Sequence, residues 1–180
     1  MGLSRNNRKG KLLIAVRLAF LSALFILIGG CTVKYSFSGA SISPEVKTFS
    51  VAYFQNRAPL VQVGLSQYIT DALIDKCKSQ TNLNYVTGTG DVSFEGDITD
   101  YKTVPLTVAA DALAAMNRFT ITVKVKFINS INPDLSFDQT FSRYADYSAS
   151  LNLTDVEKEL SDEIVSQLVE DIFNQAFVNW

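Results

Sequence analysis

From residue 118 to 129 the chain alternates without a break. Phe119, Ile121, Val123, Val125 and Phe127 share one parity, and Thr120, Thr122, Lys124 and Lys126 share the other. A period of two reads as a strand, and one dry and one wet face place that strand in a sheet covered on one side. The dry side needs an amphipathic cover, and two segments supply it. Over 64–80, Leu65, Tyr68, Ile69, Ala72, Leu73 and Cys77 recur at helical spacing, with Asp71 and Asp75 on the wet side. Near the C-terminus, Thr154 and Glu157 spell a capping box. Val156, Leu160, Ile164, Leu168, Ile172, Ala176 and Phe177 then form a stripe, which Val165, Val169 and Phe173 widen enough to cover a sheet.

Other strands are weaker. Residues 47–54 are β-branched and aromatic, and 85–86 are a short candidate. Over 92–101, Val92, Phe94, Gly96 and Ile98 alternate with Ser93, Glu95, Asp97 and Thr99, and Gly96 points to a bulge or a close backbone approach. After the turn at Asn132-Pro133-Asp134, residues 136–147 return with Phe137, Phe141 and Ala145 on one parity. The elements sum to an α+β, two-layer sandwich. Its sheet is expected to be about four-stranded and largely antiparallel, with both helices on one face and Lys124 and Lys126 looking outward.

The N-terminus carries a different signal. Arg5, Arg8, Lys9, Lys11 and Arg17 precede an apolar run over 18–28, which ends in Ile28-Gly29-Gly30-Cys31. That run is too short to span a bilayer and suits a signal peptide ending in a lipobox. The expected division is a signal peptide over 1–30, a lipidated tether over 31–46 and a folded domain over 47–180. Cys31 would carry diacylglycerol and an N-acyl chain, giving stable anchoring by more than one chain. Removing 1–30 leaves 11 basic against 18 acidic residues, a net charge of −7. Nucleic acid is not an expected partner of so acidic a chain. Lipidation leaves Cys77 without a disulfide partner, and its place on an apolar helix face reads as a buried thiol. With no histidine, neither a Ser-His-Asp site nor a histidine-ligated metal can be built. No catalytic residues, metal site or dissociable cofactor are expected.

Motif order adds a resemblance. The lipobox is followed by Y-x-F-S-G-A at 35–40, P-x-x-K-T at 44–48 and F-x-N at 54–56. Then come L-S-Q at 65–67, G-x-I-T-x-Y at 96–101, A-A-x-N-R-x-T-I-x-V at 114–123 and E-D-I-F-N-x-A-x-x-N-W at 170–180. Together these resemble the LPS-assembly lipoprotein family LptE as found in Bacteroidetes. The resemblance implies a two-layer sandwich and a non-catalytic lipoprotein of the outer membrane. It implies two partners: an LptD-type β-barrel translocon, which the lipoprotein plugs and helps assemble, and lipopolysaccharide. Thr32-Val33-Lys34 lacks the acidic run that resembles a surface-export signal, so a periplasm-facing domain is expected. The stretch V-A-Y-F-Q-N-R at 51–57, followed by a helix, also resembles curli-secretion lipoproteins, which would make this an oligomeric secretion channel. Against that, the outward parity of 119–127 is too polar for lipid.

Two residue groups are candidate contacts. Lys124 and Lys126, with Arg118 and Arg143, suit lipopolysaccharide headgroup phosphates, or are a solvated strand face whose lysines block edge pairing. Val104, Leu106, Val108, Leu113 and Met116 fall in a segment, 102–117, that is long for a hairpin loop. They are a candidate barrel contact, or a short helix packed on its own domain. Asp91, Glu95, Asp97 and Asp100 read as solvated surface, and Phe173, Phe177 and Trp180 as the core-facing end of the last helix.

Overall fold

The alternating segment lies in the middle of a sheet. The structure is a computed structural model that describes residues 42–60, 62–106 and 115–178. The signal segment, Cys31, the stretch up to 41, Val108, Leu113 and Trp180 lie outside the described residues. In chain order the elements are β1 (Thr48–Val51), β2 (Gln55–Asn56), α1 (Leu65–Gln80), β3 (Asn84–Tyr85), β4 (Val92–Leu106) and β5 (Met116–Asn129). A 3-10 turn (Pro133–Leu135), β6 (Phe137–Ser148) and α2 (Leu153–Phe177) follow. The strand order is β3-β1-β4-β5-β6, with β2 pairing on β4 beyond β1. β4, β5 and β6 form an antiparallel meander. β1 pairs parallel with β3 and β4, and β2 pairs parallel with β4.

The α+β sandwich stands, but its sheet is mixed and six-stranded rather than about four-stranded and largely antiparallel. β3 realises the short candidate at 85–86 one residue earlier, and β2 is a further two-residue piece whose partner lies some forty residues away, a distance that local periodicity does not register. The alternation on β5 is borne out: Phe119, Ile121, Val123 and Val125 are fully buried. Fully burying such a side chain is worth about 1.5–3 kcal/mol, so the dry face alone commits this strand to one orientation. Both helices close over it. Lys76 of α1 pairs with Glu170 of α2, and Tyr68 bonds Asp162, the same number of residues apart, so the two helices run parallel.

Three local expectations change. No side-chain cap forms at Thr154: the N-cap falls two residues earlier, at Asn152, and Glu157 accepts the hydroxyl of Tyr101 instead. Tyr68 is exposed, while Ser66 and Thr70 are buried between α1 and the sheet. Thr70 Oγ1 donates to the Ser66 carbonyl at 2.7 Å and accepts the Phe54 amide at 3.1 Å, so the polar pair is satisfied internally. The third concerns Gly96, where a close approach occurs rather than a bulge. A Cβ there would stand 2.3 Å from the buried ring of Phe54, which crosses under β4 at the gap between β1 and β2. The bulge falls later, between Ile98 and Asp100. It shifts the parity, so Tyr101 is buried where uninterrupted alternation would place it outside.

The molecule has two distinct ends. At one, Asp91 Oδ2 accepts the amides of Lys47 and Thr48 at 2.8 and 2.9 Å, pinning the start of β1 beside the start of β4. The described chain enters here, with Ile42 packed on the core and Val46 buried. Phe177 of α2 packs on Phe94 and Phe127 near this end. At the far end Leu106 pairs with Met116, and Met116 with Ser148. Both helices begin there, and Ser161 of α2 donates to Gln62 just before α1. At about 3.4 Å per residue, β4 spans about 48 Å between the ends.

Replacing Gly96 with Ala should cost about 1–3 kcal/mol through overpacking against Phe54. Thermal denaturation should show a lowered Tm, and adding Phe54→Leu should recover part of the loss rather than deepen it. The Lys47 and Thr48 amides hold the Asp91 carboxyl below its ordinary value. Its stabilisation is therefore complete above the ordinary carboxylate pKa of about 4 and is lost as pH falls through the lower folded value. Asp91→Asn should be less stable than the native chain at pH 7, and the gap should close in denaturation curves taken at progressively lower acidic pH.

Candidate functional site

The helices cover one face of the sheet and leave the other open. On that open face β5 presents Arg118, Thr120, Thr122, Lys124 and Lys126. Register brings their neighbours into rows. Glu95, Lys126 and Asp138 stand side by side, as do Asp97, Lys124 and Thr140. Further along, Thr122 meets Ser142, their hydroxyls 2.9 Å apart, and Lys102, Thr120 and Tyr144 share a row. The last charged row is Val104, Arg118 and Asp146.

Each cation here has a carboxylate. Arg57 Nε is 2.8 Å from Asp97, Lys124 Nζ is 3.1 Å from Asp138, and Lys126 Nζ is 4.0 Å from Glu95. Lys102 pairs with Asp100. Arg118 grips both oxygens of Asp146 at 2.8 and 2.9 Å and lies 3.6 Å over the Tyr144 ring. This bidentate bond lowers the pKa of Asp146 and raises that of Arg118. The five pairs balance, so among the described residues these strands present no net charge on the open face. Exposed pairs of this kind contribute about 0–1 kcal/mol each to stability.

Of the four cations taken together from the sequence, three share this face. Arg143 does not. It has the parity of Phe141 and Ala145, which are buried under α2, and it pairs with Asp171 of that helix. Parity in β6 shows this once its pairing is known. Sequence reading missed Tyr53, Arg57 and Asp138. With Gln55, Glu95, Lys124 and Lys126 they line an open depression of about 440 Å³ where the β1–β2 gap meets β4 and β5. The even parity of 136–147 offers Asp138, whereas nothing local offers Arg57, which arrives by parallel pairing of β2.

The far end has another character. The 102–117 segment is neither a loop throughout nor a local helix over its described part: 102–106 prolong β4, and Met116 and Asn117 open β5. Val104 is exposed, and Leu106 and Met116 are half-buried and paired. Around this end Leu60, Val63 and Leu151 are also exposed, Val63 almost completely at 96%. Clustered exposed apolar side chains of this kind mark contact surfaces more often than scattered single ones do.

Other chemistry has little to work with. Cys77 is fully buried, and desolvation pushes its thiol up to about 12, so it is not a nucleophile. No group of His, Cys, Asp and Glu among the described residues could hold a metal ion. No described helix is long and apolar enough to cross a membrane.

No curated protein matches the chain. Among solved structures, it is similar to a neuraminyllactose-binding hemagglutinin homolog from Helicobacter pylori, at TM-score 0.50 and 7% identity over 78% of this chain and 88% of that one. It also matches a minor lipoprotein from Acinetobacter baumannii, at TM-score 0.48 and 11% identity over 72% and 91%. A third match is lipoprotein B from Nitrosomonas europaea, at TM-score 0.43 and 12% identity over 71% and 79%. Identities this low speak to fold alone. The sequence itself is more specific, because the family model described as LptE, lipopolysaccharide-assembly, matches residues 46–176. That span takes in every strand of the sheet and nearly all of both helices, and the chain belongs to the LptE lipopolysaccharide-assembly family.

Proposed function

We propose that this protein is a lipid-anchored lipoprotein of the outer membrane that faces the periplasm. It plugs and helps assemble an LptD-type β-barrel and assists lipopolysaccharide insertion into the outer leaflet. The observation that carries the reading is the family match over the whole folded unit. It is a non-enzymatic role, in keeping with the inert Cys77. Cys31 holds the protein to the membrane through its acyl chains.

The far end supports a place for the barrel. Val104, Leu106 and Met116 sit there with Leu60, Val63 and Leu151, and they lie across the length of the sheet from the point where the chain enters. Residues 31–42 fully extended reach at most about 36–40 Å, less than the length of β4. With the far end raised into the barrel mouth, a tether of that contour length limits how deeply the domain enters. Lipopolysaccharide is then left the open, polar sheet face.

A photoreactive residue at Leu106 should crosslink to a large outer-membrane protein in cells, and one at Asp134, at the opposite end, should not. Crosslinks from Leu106 confined to its own chain would remove the barrel contact from this end. Cys31→Ala should abolish incorporation of labelled palmitate and release the protein from membranes. Retained label would move the acylation site elsewhere.

A further inference from the structure

The open face carries lysines and arginines, yet its charge is cancelled locally. Within the depression Arg57, Lys124 and Lys126 are matched by Asp97, Asp138 and Glu95. An arriving phosphate would gain no net field there, because attraction and repulsion come from groups a few ångströms apart. It would also have to displace a carboxylate from each cation it meets. The depression therefore does not select for anions.

What it offers instead is a dense alternation of donors and acceptors. Lys and Arg donate, Asp and Glu accept, and the Gln55 amide does both. A sugar hydroxyl needs one of each. Tyr53, 51% exposed at the rim, supplies an apolar ring for the C–H face of a pyranose. The Arg57–Asp97 hydrogen bond, at 2.8 Å, restrains one wall before a ligand arrives, so less side-chain freedom is lost there on binding. The depression's size, about 440 Å³, lies within the roughly 300–1,000 Å³ of small-ligand sites.

We infer that this depression binds an uncharged, hydroxyl-rich saccharide, with Tyr53 as the platform and the three ion pairs as its hydrogen-bonding walls. The inference rests on the lipopolysaccharide reading for the source of the sugar. It assigns the contact to the saccharide portion rather than to the phosphates of the lipid portion. Lys124 and Lys126 act there as donors whose charge is offset by neighbouring carboxylates, not as free positive charge.

The test titrates the full lipidated chain, in detergent and immobilised through its C-terminus, with two probes. One is core oligosaccharide stripped of lipid and phosphate, and the other is lipid A. The oligosaccharide should bind, with an affinity that changes less than about twofold between low and high salt, since no net charge is neutralised. Tyr53→Ala should weaken it roughly three- to tenfold, the stacking contribution of one aromatic ring. Lys124→Gln, which leaves Asp138 unpaired, should weaken it as well, while Arg143→Gln on the covered side should not. Lipid A binding that falls steeply with salt and with Lys124→Glu, beside no oligosaccharide binding, would overturn the inference and leave the lipopolysaccharide role standing. Binding of neither probe, or oligosaccharide binding untouched by Tyr53→Ala, would also overturn it. The crosslink from Leu106 judges the barrel role separately.

Discussion

Everything in this structure follows from the need to cover one side of β5. Four of its alternate side chains are fully buried, and their partners on β4 and β6 extend the same apolar surface across the meander. One helix is too narrow to cover a sheet of this width. α2 lies over β5 and β6, and α1 lies over β1 and β3, joined by Lys76–Glu170 and Tyr68–Asp162. Because the helices run parallel, both begin at the far end, beside the tip of the meander. A single burial requirement thus produces a covered face, an open face and two unlike ends.

The open face is polar because nothing covers it, and its ion pairs follow from register. Cross-strand neighbours lie about 4.5–5.5 Å apart, so Glu95 beside Lys126 and Asp146 beside Arg118 meet without distortion. Such pairing keeps an uncovered sheet soluble and gives it no overall sign. A balanced surface of this kind suits a ligand recognised by hydrogen bonds, whereas the exposed apolar side chains of the far end suit a partner that removes them from water. On the proposed reading, a saccharide-bearing lipid and a protein barrel would meet separate surfaces of one small domain.

Much of the fold is legible in the sequence where the signal is local. Period two over 119–127 reads directly as a one-sided strand, and the stripe of α2 and the buried Cys77 follow from helical spacing. The failures involve partners distant in the chain. The short strand at 84–85 is legible as a candidate, but its parallel partner and the whole of β2 depend on residues some forty positions away. The Thr154 capping box matches its pattern, but Tyr101, brought in by the parity shift at Thr99, takes Glu157. Lys124 and Lys126 are placed outward by parity alone. That each is held by a carboxylate, and that Arg143 belongs to the other side, depends on β6 register and on helix packing. The site's residues were therefore half visible: the cations could be found, and the partners that cancel them could not.

On the proposed reading, a fold lipid-tethered at its entry end and apolar at the other would serve a single outer-membrane barrel. Purifying the tagged full chain from membranes in mild detergent tests this most directly. One large β-barrel protein should be recovered in near-equal amount with the lipoprotein. A ring of identical lipoprotein subunits with no barrel, or the lipoprotein alone, would contradict it.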